Sequence, residues 1–523
     1  MLERIKRVFG FKDIKNGRTI IVNSESLEDR VAVTANGTLE EYTIERKGHK
    51  NIAGNIYKGR VKNIEQGLKA MFVDIGLDKN AFLHFWDAIP AALDDDMEQI
   101  RRGKKKNKRI TSKDIPNIYP VGSEVLVQVT KGPIGNKGPR VTTNISLPGR
   151  FMVLMPLNDQ FGISRKIEDP KERKRLRKIT ENLSVPEGMG IIMRTVCQGK
   201  RARYFVRDIA FLLEQWEQVD EIQLNNKAPV MAFEEPNLIE KTVRDFLTDD
   251  VDEVLCDDIE VADEMRKLAA TISKRARKRI QHYQGNVPIF DKLGIQKQID
   301  NAFLRQVWLP CGGYLVIDET EALIAIDVNT GRNKGSKDVD RMILETNLEA
   351  AEEVARQLRL RNIGGLVVID FIDMRQRRDQ NQVYKKMKDH LYDDKAKTQV
   401  CPISPLGLME LTRQRLNESL TVSQFDICPT CLGKGTIKSA MTMSVELQRT
   451  LSRVLARRQD EEDRDLLTYV HPEVLNRLRT EDDKLLVDLE RRYGARLTFR
   501  GDPSFNREQI KVLEGKSGKE IQL

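Results

Sequence analysis

A chain of 523 residues is longer than one hydrophobic core supports, and about three or four domains are expected. Hydrophobic residues at 40% and charged residues at 32% exclude a disordered chain and describe a globular one with a heavily solvated surface. The net charge of +9 is compatible with an RNA partner and does not demand one. No run approaches the roughly 18 apolar residues of a membrane span. The opening MLERIKRVFGFKDIKNG lacks the apolar centre of a signal peptide, and six cysteines with one close pair do not make a secreted disulfide framework. A cytoplasmic protein is expected.

The first fifty residues alternate short β-like runs, 19–23, 30–34 and 41–45, with Asn-Gly turns at Asn16 and Asn36. From Gly54 to about Asn144, strand-sized runs with glycine corners suit a five-stranded OB barrel. Phe72 and Phe82 fall inside it, where pattern alone reads them as barrel core. A polar insert, DDDMEQIRRGKKKNKR, interrupts the barrel pattern, and residues 101–109 within it read as a mobile basic loop. They hold seven Lys or Arg, either a solvated surface or a phosphate contact.

Residues 145–240 mix strands and helices. GIIMRTV is a short strand, and RYFVRDIAFLLEQWEQV is an amphipathic helix with Phe205, Ile209, Leu212, Leu213 and Trp216 at helical spacing. Pro229 and Pro236 mark a linker, and helices are expected over 238–247 and, strongly basic, over 263–283. YLVIDETEALIAIDVNTG then reads as a hairpin around Glu-Thr-Glu. A long helix follows with Ile343, Leu348, Ala351, Val354, Ala355 and Leu358 on its apolar face and Gly364-Gly365 as its stop. LVVIDFIDM closes a β-β-α-β unit as a buried strand.

Acidic residues interrupt both of these strands. Strand parity puts Ile324, Ile326 and Val328 on one face and Ala325, Asp327 and Asn329 on the other, and Asp370 follows four apolar residues in the same way. Strand ends in α/β layers are where ligand sites form. A carboxylate there costs several kcal/mol unless it is paired or metal-bound. Magnesium takes one or two carboxylates, keeps waters and binds phosphate oxygens, which suits phosphodiester cleavage. The bland alternative is that Asp327 caps a turn and Asp370 pairs with an arginine such as Arg332.

CPTCLGKG at 428–435 has the spacing of a zinc knuckle; a thioredoxin-type redox pair would want a preceding strand and a following helix. Structural zinc wants four ligands, and Cys428 and Cys431 are the only pair with this spacing. The other two come from a second protomer or from within the chain, by Cys401 or a histidine.

EALIAIDVNTGR, TNLEAAEEVARQLRLRNIGGLVVIDFIDM and GLMELTRQR closely resemble the catalytic core of the RNase E/G ribonucleases, and the resemblance covers nearly the whole chain. It implies a multidomain α/β and α+β protein whose catalytic core is RNase H-like and DNase I-like, with an inserted OB barrel and 5′ sensor. In order these are residues 1–50 (first RNase H-like part), 51–143 (OB), 144–241 (5′ sensor), 242–302 (second RNase H-like part), 303–424 (DNase I-like), 425–438 (zinc-link) and 439–523 (small dimerisation domain). Asp327 and Asp370 would hold magnesium, with Asn329 orienting the site. Phe72 and Phe82 would hold RNA, in a stretch reading NAFL where relatives commonly have HGFL, and Lys137 would be a basic RNA contact. In the pocket for a 5′-monophosphate, Gly149 and Val153 would supply the loop contacts and Arg194 and Thr195 would take the phosphate, and Arg165 would contact RNA nearby. One zinc shared through Cys428 and Cys431 would join two chains into a homodimer, the pairing of dimers into a tetramer staying open.

The implied activity is a magnesium-dependent endoribonuclease cutting AU-rich single-stranded RNA to 5′-phosphate and 3′-hydroxyl ends. It would be stimulated by a 5′-monophosphate and would act in rRNA and tRNA processing and mRNA decay. A non-catalytic RNA-binding scaffold that kept the fold is the rival reading. Ending at Leu523, the chain looks more like the RNase G branch than a full-length RNase E, although a cut-down longer protein would look the same. Cys311 stands where many relatives have serine.

Overall fold

The computed structural model describes residues 17–48, 51–90, 97–100, 111–133, 137–272, 274–320, 322–332, 339–392, 394–415, 419–458 and 464–522. The basic run 101–109 and the Asn16 turn lie outside them. The chain divides into two compact units, Met1–Thr421 and Val422–Leu523. No helix among the described residues is long and apolar enough to cross a membrane.

Four sheets build the first unit. Arg18–Ser24, Glu28–Ala35 and Thr38–Arg46 form a meander, and Val251–Cys256, far away in sequence, pairs in parallel with the first of them. The Asn36-Gly37 turn has φ of 51° and 82°, the left-handed pair that a two-residue hairpin demands. Alternation along Arg18–Ser24 sends Ile20 and Val22 into one apolar cluster and Ile21 into another, so the sheet is covered on both faces. The basic stretch expected as one helix over 263–283 is Ile259–Ile272 and Lys274–Lys278, followed by a strand, Ile280–His282, paired with Val251–Cys256. Lys and Arg favour helix, but buried Ile280 completes the sheet edge, and tertiary pairing overrides the local preference.

The second sheet closes on itself. Ile56–Glu65, Ala70–Asp74, Ala81–His84, Arg140–Thr142 and Glu124–Lys131 pair in a ring, a five-stranded barrel filled by Val61, Met71, Val73, Ala81, Leu83, Val125, Val127, Val129 and Val141. Each fully buried Val, Leu or Met there contributes roughly 1.5–3 kcal/mol. The region expected as a linker between Pro229 and Pro236 instead holds a strand, Val230–Phe233, that adds to the outside of this ring beside Ile56–Glu65.

The third sheet, in order Leu147–Pro148, Met152–Met155, Gly190–Met193, Phe161–Ser164 and Met97–Ile100, brings a further correction. Residues 97–100, read only as part of a polar insert, are an edge strand paired antiparallel with Phe161–Ser164, with Ile100 buried against Phe161. The Ala202–Asn225 helix packs on this sheet through Phe205, Ile209, Leu212 and Trp216, as its periodicity predicts.

The fourth sheet runs Gln306–Trp308, Tyr314–Glu319, Leu323–Asn329, Gly365–Asp370, Leu408–Arg413 and Thr398–Val400. Helices Val339–Leu360 and Arg377–Tyr392 cover one face, with Ala350, Ala351, Val354, Ala355, Leu358, Val383 and Met387 fully buried. The long helix stops not at glycine but at Asn362, which takes the left-handed φ of 51°. Gly364 is needed for another reason: a Cβ there would lie 2.6 Å from Arg415 Cγ. In the second unit, Leu466–Val470 pairs with Leu497–Gly501 and Ile510–Glu514 beside helices Ala440–Arg457, Pro472–Thr480 and Asp483–Tyr493.

Candidate active site

In Leu323–Asn329, Ile324, Ile326 and Val328 are buried while Ala325 and Asp327 are exposed and Asn329 is half-buried, the parity expected. Leu323–Asn329 pairs in parallel with Gly365–Asp370, and the register sets Asp327 directly beside Asp370. Two carboxylates therefore stand on adjacent strands, about 4.8 Å apart along the hydrogen-bonding direction, on the face away from the helices and at the carboxyl ends of both strands. Asn329 Nδ2 donates to Asp327 Oδ2 at 2.7 Å, which holds that carboxylate in one orientation. The alternative partner, Arg332, has its guanidinium 6.0 Å from the Trp308 ring centroid.

The strand end carrying Asp370 is fixed from beneath. Asn347, fully buried in the long helix, donates to Ile372 O (2.8 Å) and accepts from Ile372 N–H (3.1 Å). One amide thus closes a two-bond ring with the backbone two residues beyond Asp370.

On the barrel, Phe72 and Phe82 are cross-strand partners with ring centroids 5.9 Å apart in an edge-to-face arrangement. Their neighbours Met71, Val73, Ala81 and Leu83 fill the barrel, so both phenylalanines face outward, half-buried, and the core reading of them is wrong. Exposed Lys137 lies near this edge, since Phe82 N–H donates to Pro139 O at 2.7 Å.

The third sheet gathers at one end the residues expected to meet the 5′ end of RNA. Gly149 lies in the turn before Met152–Met155, Val153 is within that strand, and Arg194 and Thr195 follow Gly190–Met193. Arg165 follows Phe161–Ser164, which runs parallel to Gly190–Met193, so it emerges at the same end. Arg194 Nη1 donates to Gly149 O and to Asp245 Oδ1, each at 2.7 Å. Burial raises the Asp245 carboxyl, but the charges and hydrogen bonds of Arg244 and Arg194 outweigh it and hold it below the usual carboxylate value. Acid pair, phenylalanine pair and strand-end loop stand on three different sheets.

Cys428 and Cys431 lie in a turn within the second unit, with no strand before them and the next helix starting at Ala440. Leu432, at φ 49°, and Gly433, at φ 84°, bend the chain so that Gly435 N–H points at Cys431 Sγ, 3.4 Å away. Backbone N–H groups of Cys431 and Thr430 lower the Cys428 thiol below its ordinary value, which favours the thiolate. Among the described residues no three His, Cys, Asp or Glu side chains converge on one point, so each candidate metal set is a pair.

Residues 146–416 match the Ribonuclease E/G family, and residues 427–515 match the RNase E/G thioredoxin-like domain. The chain is 37% identical to Ribonuclease G of Escherichia coli (strain K12) over 494 residues, 94% of this chain and 99% of that protein. This chain belongs to the ribonuclease E/G family. Ribonuclease G of Salmonella typhimurium is likewise 37% identical over 494 residues. Ribonuclease E of Haemophilus influenzae is 36% identical over 506 residues, 96% of this chain and 53% of that protein.

Several residues that shape this family member's sites escape sequence reading. Asp208 reads as the polar face of an amphipathic helix, yet its carboxylate accepts from the backbone N–H groups of Arg150 (3.2 Å), Phe151 (2.8 Å) and Met152 (3.1 Å), clamping the turn after Gly149. Gly149 is required beside it, because a Cβ there would lie 2.7 Å from Asp208 Oδ2. In GLMELTRQR, Arg413 is buried against Asp394, with Nε–Oδ2 at 2.7 Å and Nη2–Oδ1 at 3.0 Å. A buried arginine so close to a strand of acidic ends carries no local signal of that partner.

Proposed function

We propose that this endoribonuclease of the ribonuclease E/G family is magnesium-dependent and cuts single-stranded AU-rich RNA in the cytoplasm, leaving 5′-phosphate and 3′-hydroxyl ends. In this reading a 5′-monophosphate stimulates it, and its roles are rRNA and tRNA processing and mRNA decay. The observation that carries the reading is the register that sets Asp327 beside Asp370 on an open sheet face.

The donor set fits magnesium: two carboxylates on one side leave the rest of an octahedron to waters and phosphate oxygens. The bound ion would supply Lewis-acid stabilisation of charge on the scissile phosphate. Asp327 and Asp370 would hold it, while Asn329 keeps the Asp327 carboxylate oriented through its 2.7 Å bond and Asn347 fixes the chain after Asp370. Phe72 and Phe82 offer ring faces to unpaired bases, each stack contributing about 1–3 kcal/mol, and Lys137 adds charge against phosphate. At the strand-end loop, Arg194 and Thr195 supply a guanidinium and a hydroxyl for a terminal phosphate, with Gly149, Val153 and Arg165 around them. In domain terms, the sheet of the acid pair is the DNase I-like part, the sheet joining the N-terminal strands to Val251–Cys256 is RNase H-like, and the barrel is the OB fold. Cys428 and Cys431 give half of a tetrahedral zinc site that a second protomer completes, making a homodimer.

The test is cleavage of a short 5′-monophosphorylated AU-rich RNA with magnesium by the wild type, Asp327→Asn and Asp370→Asn. Variants that bind RNA and do not cut uphold the site; variants that cut like the wild type move it elsewhere. A wild type that binds and never cuts gives the scaffold reading.

A further inference from the structure

We propose that Trp308, backed by Tyr314, is a stacking platform for one nucleobase of the substrate RNA, on the same open sheet face as Asp327 and Asp370. The inference rests on the acid pair being the cutting site and adds to it a specificity-determining residue.

Register alone puts these side chains on one face. Trp308 is the cross-strand partner of Tyr314, Tyr314 of Asn329, and Asp327 of Asp370, while Asn329 and Asp327 alternate along one strand. Each link keeps the face. Trp308 is two strands from Asp327, about 10 Å across the sheet and about 7 Å along it, or about 12 Å in all. An extended single strand lying across the sheet with its phosphate at the acid pair covers that distance in about two nucleotides.

The chemistry at Trp308 suits a base. Of the three tryptophans, Trp216 is core, Trp86 is 65% exposed just after the barrel strand Ala81–His84, and Trp308 is 54% exposed on the sheet of the acid pair. Its ring meets Tyr314 at 5.3 Å between centroids and 58° between planes, a tilted contact on a residue that stays more than half exposed. The Arg332 guanidinium lies 6.0 Å from the ring centroid, a cation placed where a strand's phosphate would follow its base. An exposed indole beside a cation stacks any base once that base is unpaired, and a duplex cannot offer one.

The experiment measures kcat/KM on a 5′-monophosphorylated AU-rich RNA and on a set of the same RNAs carrying one abasic nucleotide, walked along positions flanking the cut bond. The wild type, Trp308→Ala, Trp308→Phe and Asp327→Asn are compared. Trp308→Ala is expected to lose about 5- to 100-fold on intact RNA. One abasic position should cost the wild type a similar factor, and Trp308→Ala should lose nothing further there; Trp308→Phe should recover most of the rate. Equal loss by Trp308→Ala on every RNA, or no loss on intact RNA, overturns the platform. A dead Asp327→Asn with a fully active Trp308→Ala sinks the platform and leaves the acid pair standing. An active Asp327→Asn removes the acid pair as cutting site, and with it the placement proposed here. A second reading uses Trp86→Phe/Asp327→Asn protein: added RNA should quench tryptophan emission, and adding Trp308→Phe should abolish the quench. Quenching that survives Trp308→Phe also overturns the platform.

Discussion

Replacing Arg413 with methionine should loosen the strand that carries Asp370. The Arg413 and Asp394 side chains are only 4% and 2% exposed, and their two hydrogen bonds make a planar fork. Arg413 also donates to Ile363 O at 2.6 Å, and it sits opposite Gly365 in the ladder that continues to Asp370. Methionine fills the volume but leaves the Asp394 carboxylate buried, with the Ala396 N–H at 2.9 Å as a remaining donor. Removing one partner of a buried pair costs about 3–5 kcal/mol. Unfolding of so large a chain is not one transition, so local opening is the quantity to measure. Hydrogen exchange of peptides covering 365–370 should quicken about 100-fold or more, each 1.4 kcal/mol being about a factor of ten. Arg413→Lys keeps charge without the fork and should fall between. Arg413→Met with Asp394→Leu removes both charges and should restore most of the protection. Exchange within about threefold of wild type in the single variant would refute the reasoning, because a buried carboxylate cannot lose its guanidinium that cheaply.

Asp208→Asn should relax the turn after Gly149, since an amide oxygen is a weaker acceptor for three N–H groups than a carboxylate. Stimulation by a 5′-monophosphate should drop by about tenfold, with cleavage of 5′-hydroxyl RNA unchanged; equal loss on both substrates would mean general damage. The Asp245 carboxyl, held low by Arg244 and Arg194 against the effect of burial, gives stability that is present above the unfolded carboxylate value, about 3.9, and is lost as pH falls through the lower folded value. The stability difference between wild type and Asp245→Asn should therefore shrink on acidification below about pH 4; a difference constant with pH contradicts the pairing. Metal analysis should find about one zinc per two chains, a four-thiolate site shared by two CxxC pairs. Chelation, or Cys428→Ser, should halve the mass seen by light scattering, and an unchanged mass excludes sharing.

Local periodicity made much of this molecule legible. Alternation alone told which side of Leu323–Asn329 holds Asp327, because a strand's period leaves no choice once Ile324, Ile326 and Val328 are buried. That Asp370 is its register partner was not legible, since the pairing spans the long helix between them. Trp308 stands in too short a run, between apolar Val307 and Leu309, to show alternation on its own, and its place on the face of the acid pair follows from the antiparallel register with Tyr314. Phe72 and Phe82 looked apolar in apolar runs, and their outward face follows from the barrel's closure rather than from their own identity. Charged stretches misled in the opposite sense, with polar Met97–Ile100 hiding a strand that depends on distant Phe161–Ser164 for its pairing.

Barrel and neighbouring sheet exchange strands in both directions. Met97–Ile100, an excursion from the barrel's own sequence, finishes the sheet that holds Arg194, and Val230–Phe233, which follows that sheet's helix, returns to the barrel. The two are stitched like interlocked fingers, so neither can be excised, transplanted or lost on its own without leaving a raw edge on the other. A load on either sheet is therefore carried into the other through backbone hydrogen bonds.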